Sequence, residues 1–239
     1  MNRAWTVLLN RVVNTWGNKA QHRIQYPEGI QMIMLKKTAS GIMVLVLLLG
    51  ISACSSKRFS FENIKDVAEQ CGLEETDDVG RLAKDIYGMQ DYNELVYIAT
   101  DKPAEAQKIY DEIYNKSNTY PKAEVKAAAV MYSNVINGEG KAISEYAFVF
   151  TFKNSRKATE FYNKTEEEFK ILDREKGKDK YEYFLISGHN DQMTTLYGEY
   201  LEGKTVVLLS GSGYKKNDFT LVDRFCREAD VKSPETLIK

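Results

Sequence analysis

Tyr146-Ala147-Phe148-Val149-Phe150-Thr151-Phe152 alternates large aromatic and smaller residues with a period of two, the period of a β-strand. One side carries Tyr146, Phe148, Phe150 and Phe152, and the other carries Ala147, Val149 and Thr151. Upstream, Asn137-Gly138 and then Glu139-Gly140 are turn chemistry, which makes Val125 to Ile136 the other arm of a hairpin. That arm has a mixed signal: Ala127-Ala128-Ala129 suits a helix, whereas Val130-Met131-Tyr132 and Val135-Ile136 suit a strand. Downstream, Asn154 caps a helix carrying Ala158, Phe161, Tyr162, Thr165 and Phe169. Arg174 to Lys180 then reads as a charged loop.

Further out the same reading continues. Ser60 caps a helix with Ile64, Val67, Ala68 and Cys71 on one face and Gly72 as its stop. A second helix after Thr76 carries Val79, Leu82, Ala83, Ile86 and Tyr87, and Gly88 ends it. Leu95-Val96-Tyr97-Ile98-Ala99 is a buried strand, and Asp101 and Pro103 open a helix with Ala106, Ile109, Tyr110, Ile113 and Tyr114 inward. Three strands follow the charged loop: Tyr181 to Ser187, Met193 to Leu201 and Lys204 to Ser210. Val206-Val207-Leu208-Leu209 is apolar on both sides, as a central strand requires. Asp218 starts a last helix with Leu221, Val222, Phe225 and Cys226 inward. The fold class is α+β: an antiparallel sheet with helices mainly on one face, one βαββαβ block of ferredoxin-like order, and additional strands and helices. Val96, Ile98, Ala106 and Tyr110 recur 52 residues later as Phe148, Phe150, Ala158 and Tyr162, a pattern any two strand–helix units share.

The beginning of the chain reads differently. Lys36-Lys37 precede an apolar run, Ile42 to Ile51, that is shorter than the roughly 20 residues of a spanning helix. Small residues Ser52-Ala53 then lead to Cys54. A basic end, a short apolar core and a small-residue cut site make an export signal. Ile51-Ser52-Ala53-Cys54 resembles the lipobox of bacterial lipoproteins, with Ile51 where Leu is more frequent. The resemblance implies a diacylglyceryl thioether on Cys54, removal of residues 34–53 as signal peptide, and acylation of the new amino terminus by a fatty acid such as palmitate. Two acyl chains anchor a protein stably where one does not. Signals of this kind begin a few residues before their basic end, so Met34 or Met32 is the expected initiator. Residues 1–33 then read as a translated upstream leader, and Glu28-Gly29 could be encoded by a ribosome-binding sequence. A tether of 54–60 leads into a single domain, 61–239.

Residues 1–53 hold six Lys or Arg and one acidic group, so the remainder has 27 basic and 33 acidic groups, net −6. That sign argues against nucleic acid or an anionic bilayer as an electrostatic partner. A remainder of 186 residues suffices for a sizeable core. It keeps no tryptophan, one histidine (His189) and fourteen tyrosines. His189 in Gly188-His189-Asn190-Asp191 reads as a turn residue, with neither zinc-ligand spacing nor a nucleophile beside it. Cys71 and Cys226, on inner helix faces, allow a disulfide outside the cytoplasm or two buried thiols. Glu74, Glu75, Asp77 and Asp78 lack the alternation of a calcium loop and suit a helix start. Glu166-Glu167-Glu168 reads as a solvated helix face. Gly211-Ser212-Gly213 lacks the third glycine of a dinucleotide turn, and no nucleophile elbow surrounds Ser210 or Ser212. Tyr92, Tyr120, Tyr181, Tyr183, Tyr197, Tyr200 and Tyr214 exceed what helix stripes explain, and tyrosine suits binding surfaces.

The expected protein has no catalytic residues, metal or cofactor. It sits on the extracytoplasmic face of the cell membrane, held by lipid on Cys54, and binds a protein or another envelope component. The alternatives are an envelope hydrolase with a carboxylate site and a solute-binding component of a transporter, for which 186 residues is short.

Overall fold

Both alternating sets of the Tyr146–Phe152 stretch need cover, and that decides the layering. The structure, a computed structural model, describes residues 58–88, 93–115, 123–190 and 193–238, within the compact unit Cys54–Lys239. The lipobox, Cys54, Tyr92 and Tyr120 lie outside the described residues.

The elements run α1 (Phe61–Gln70), β1 (Glu74–Glu75), α2 (Val79–Gly88), β2 (Glu94–Thr100), α3 (Pro103–Ile109), β3 (Val125–Ile136), β4 (Ala142–Phe152), α4 (Ser155–Glu168), β5 (Glu175–Lys178), β6 (Glu182–Asn190), β7 (Met193–Glu202), β8 (Thr205–Gly213) and α5 (Thr220–Glu228). A π-helical turn, Tyr110–Tyr114, extends α3. The caps follow the residues: Ser60 Oγ accepts from the Asn63 N–H at 3.2 Å, and Asn154 Oδ1 accepts from the Lys157 N–H at 3.0 Å. Gly72 closes α1 with φ of 69°, a left-handed conformation that glycine adopts without strain.

One sheet of eight strands has the order β1-β2-β3-β4-β8-β7-β6-β5. β1 pairs with β2 in parallel, and every other pairing is antiparallel. The mixed Val125–Ile136 segment is strand along its length, because its partners on both sides satisfy the backbone. Within Arg174 to Lys180, expected as a loop, Glu175–Lys178 forms edge strand β5, whose charges suit an edge.

Two expectations are corrected. Helices cover both faces, not mainly one. Phe148, Phe150 and Phe152 pack with residues of α2, α3 and α4, whereas Ala147 and Val149 pack with residues of α1 and α5. The interleaved order of a ferredoxin-like block is also absent. β2, β3 and β4 are successive neighbours, and β6 lies beyond β8 and β7. β8 takes the place beside β4 because it is buried along nearly its whole length, and a strand apolar on both faces is most stable at the centre.

Candidate functional site

On the face that carries α2, α3 and α4, register aligns residues in rows across the strands. Of the rows that run from β2 to β6, the one nearest the β3–β4 turn is Glu94, Asn134, Ser144, Ser212, Thr195 and Gly188, with no apolar side chain. The next is Val96, Tyr132, Tyr146, Ser210, Tyr197 and Ile186. Rows beyond it are mostly apolar and lie under the helices: Phe148 meets Tyr114 at 5.6 Å, and Phe150 meets Tyr110 at 5.3 Å. Ser144, Tyr146, Thr195, Tyr197 and Ser212 are only partly buried. Two aromatic rings among small hydroxyl side chains make a surface that can stack on a ligand and hydrogen-bond to it.

A buried carboxylate lies directly beneath. Glu199, between Leu208 and Phe184 in the third row, is fully buried. Its Oε2 accepts from the Tyr197 hydroxyl at 2.9 Å, and its Oε1 has no hydrogen-bond partner. Burial pushes its carboxyl well above the usual range, the Tyr197 hydroxyl opposes that, and Glu168 and Glu166 add to the rise. Phe169 packs on the Tyr197 ring at 4.6 Å. Glu166 is largely buried beside this cluster, 3.1 Å from Arg174 and also paired with Lys176, so part of the triple-glutamate run is not a solvated face.

The opposite face holds a second buried carboxylate, Glu145, at the start of α5. Phe219 occupies the N-cap and has no side-chain acceptor to offer. Glu145 supplies one: its Oε2 accepts from the Val222 N–H at 2.9 Å. Burial raises this carboxyl to about 7, while the Val222, Leu221 and Thr220 amides restrain it. The expected role of Asp218 shifts accordingly. It precedes α5 in a 3₁₀ turn, and its Oδ2 accepts from the Tyr214 and Lys215 amides at 2.7 and 2.9 Å.

A small cavity of about 160 Å³ is lined by Glu74, Glu75, Thr76, Arg81, Leu82, Asp85 and Val96. Arg81 pairs there with Glu94 and, at 3.6 Å, with Asp85. Glu74 and Glu75 belong to β1, and Asp78 Oδ1 accepts from the Arg81 N–H at 2.8 Å at the start of α2. Among the described residues no group of three His, Cys, Asp or Glu is placed to hold a metal ion.

The other sequence candidates are scattered. Cys71 and Cys226 are free thiols, which burial pushes to about 11 and about 12. Cys226 Sγ lies 3.8 Å from the Tyr200 hydroxyl. His189, expected in a turn, lies instead in the last pairs of β6 opposite Thr194, exposed, with its Nδ1 2.9 Å from Thr194 Oγ1. Tyr181, Tyr183 and Tyr200 pack on the α1 and α5 side, and the Tyr200 hydroxyl donates to Lys232 O at 2.7 Å. Gly211 makes room for a ring, since an added Cβ would lie 2.6 Å from Phe219 Cδ1. Of the five of these tyrosines that are described, Tyr197 alone joins the partly open row. Tyr146, Glu145 and Glu199 were not singled out. The signal for both glutamates was a carboxylate next to a tyrosine in a largely apolar and aromatic strand, Glu145 before Tyr146 and Glu199 before Tyr200.

No protein-family model matches the chain, and no curated protein matches it. Among solved structures, it resembles the extracellular domain of PknH from Mycobacterium tuberculosis with 11% identity and a TM-score of 0.31, over 63% of this chain and 90% of that one. An overlap that loose supports no inference about fold or function. No helix among the described residues is long and apolar enough to cross a membrane.

Proposed function

We propose that this chain is a lipid-anchored, extracytoplasmic, non-enzymatic binding domain of the cell envelope. The observation that carries the reading is the run from Lys36-Lys37 through the apolar core to Ile51-Ser52-Ala53-Cys54, with a folded helix starting at Phe61. The binding surface is the partly open patch of Ser144, Tyr146, Thr195, Tyr197 and Ser212. Its hydroxyls and rings suit a ligand with both apolar and hydrogen-bonding character, such as a peptide or a sugar polymer. The cavity carboxylates favour the hydrolase alternative less, because Arg81 already engages Asp85.

Two measurements test the reading. Intact-mass analysis of the membrane-extracted protein is expected to show an amino-terminal Cys54 carrying acyl groups, and Cys54→Ala is expected to leave the membrane fraction. A mature terminus elsewhere rejects the anchor. Tyr146→Phe with Ser144→Ala and Ser212→Ala, which leaves the Tyr197–Glu199 hydrogen bond in place, is expected to reduce recovery of an envelope ligand from membranes sharply without lowering the melting temperature severely. Unchanged recovery rejects the surface.

A further inference from the structure

We infer that the end of the sheet built around Arg58 and the Glu202–Lys204 turn is the surface that rests on the lipid headgroups, and that the tyrosine–serine patch points away from the bilayer. The inference rests on the lipid-anchor reading of Cys54.

Arg58 is the first described residue, and it is fixed to the fold. Its Nη1 donates to Ala229 O at 2.9 Å and to Asp230 O at 2.5 Å, and pairs with the Asp230 carboxylate at 3.0 Å. Its Nε lies 3.6 Å from Glu202, and its guanidinium sits over the Tyr181 ring at 5.3 Å. Four links of chain connect Cys54 to Arg58, and fully extended they reach at most about 14 Å. A lipidated Cys54 at the headgroup level therefore holds Arg58 within that distance of it.

Arg58 marks one end of the strands. Glu202 pairs with Thr205, and Thr205 with Thr151, in the last row before the β7–β8 turn. Ser144 and Ser212 pair in the opposite end row. From Thr151 to Ser144 along β4 is about 24 Å at strand rise. The patch thus stands well clear of a surface that the tether forces close to Arg58.

Charge agrees with this orientation. At the Arg58 end Lys153 pairs with Glu124 at 2.8 Å, Lys178 with Glu182, and Arg58 with Asp230, while Lys180, next to Asp179, and Lys204 are exposed cations. Near the other end, Glu74 lines the cavity in which Asp85 and Glu94 pair with Arg81. Carboxylates several Debye lengths of about 8 Å from an anionic headgroup layer escape its repulsion.

Lipidated full-length protein in vesicles of phosphatidylethanolamine and phosphatidylglycerol tests this. A fluorophore is placed at Lys204→Cys or at Glu139→Cys in a Cys71→Ala background, with quencher lipids in the bilayer. Severalfold stronger quenching at position 204 than at position 139 is expected. Equal quenching, or stronger quenching at 139, with acyl groups on Cys54 by mass, overturns the orientation and leaves the anchor standing. No acyl groups on Cys54 overturns the anchor and the orientation together. Asp179→Cys, in the neighbouring β5–β6 turn, reports the same end if Lys204→Cys does not fold.

Discussion

The two faces of the sheet are built from the same strands and solve different problems. Beneath α2, α3 and α4 the strands offer rings: Phe148, Phe150 and Phe152 meet Tyr110, Tyr114 and Phe161 in edge-to-face and tilted contacts of 5.2 to 6.4 Å. Beneath α1 and α5 the central strands offer Ala129, Ala147, Val149, Val207 and Gly211, with Tyr97 and Tyr200 on the strands further out, so α5 fills the centre with its own bulk, Phe219 and Phe225. Among the described residues each face also buries one carboxylate that pairs with no cation, unlike Asp85 and Glu94 beside Arg81, and the two differ in what meets the charge. Glu145 has the backbone amides at the start of α5, whereas Glu199 has one hydroxyl and an oxygen without a partner. Neighbouring positions of β4 and β7 thus serve unlike environments, and the period of two keeps them apart.

Truncating one ring and one aliphatic separates the faces most sharply. Phe150→Ala is expected to cost about 3–5 kcal/mol in urea unfolding. Val149→Ala, the adjacent residue on the other face, is expected to cost about 2 kcal/mol. Losses in proportion to the area each truncation removes would mean that the aromatic cluster adds nothing beyond its area. Next in size is Gly211→Ala, whose new methyl meets the Phe219 ring and is expected to cost about 1–3 kcal/mol through overpacking. An unchanged melting temperature would show that α5 can shift off the sheet.

The carboxylates sharpen the comparison through pH. Both carboxyls are raised in the fold, so the protonated forms favour it. Their stabilisation is complete below the ordinary carboxylate value and declines as pH rises, for Glu145 across the interval from 4.5 to about 7. Glu199→Gln is expected to raise stability at pH 8 relative to wild type, and Glu145→Gln to do so less, because amides already hold that charge. Urea titrations at pH 5 and pH 8 measure the difference, and the reverse ranking would reassign which face bears the uncompensated charge. The smallest effect is at the thiols. Cys226, raised further and more deeply buried than Cys71, is expected to react with a disulfide reagent more slowly than Cys71 in the native state. Faster reaction at Cys226 would indicate opening of the α5 face.

Much of this was legible in residue order. The Tyr146–Phe152 alternation, the Ser60 and Asn154 caps and the apolar Val206–Leu209 core all became the elements they suggested. The short charged strand β5 was not legible, because its pairing depends on the neighbour β6 and not on its own composition. The site was legible in part. Tyr197 stood out, but Tyr146 was absorbed into the strand pattern, and the pairing that sets Glu199 between Leu208 and Phe184 is not local.

Periodicity and capping are local, so the chain's order of residues already contained the strands, most helices and the apolar character of both sides of β4 and β8. Which strands become neighbours is not local. Pairing β4 with β8, across α4 and three intervening strands, aligns Tyr146 with Ser210 and Tyr197 and buries Glu145 and Glu199 on opposite faces. That choice depends on which strand can be buried on both sides at once, a property of the assembled sheet.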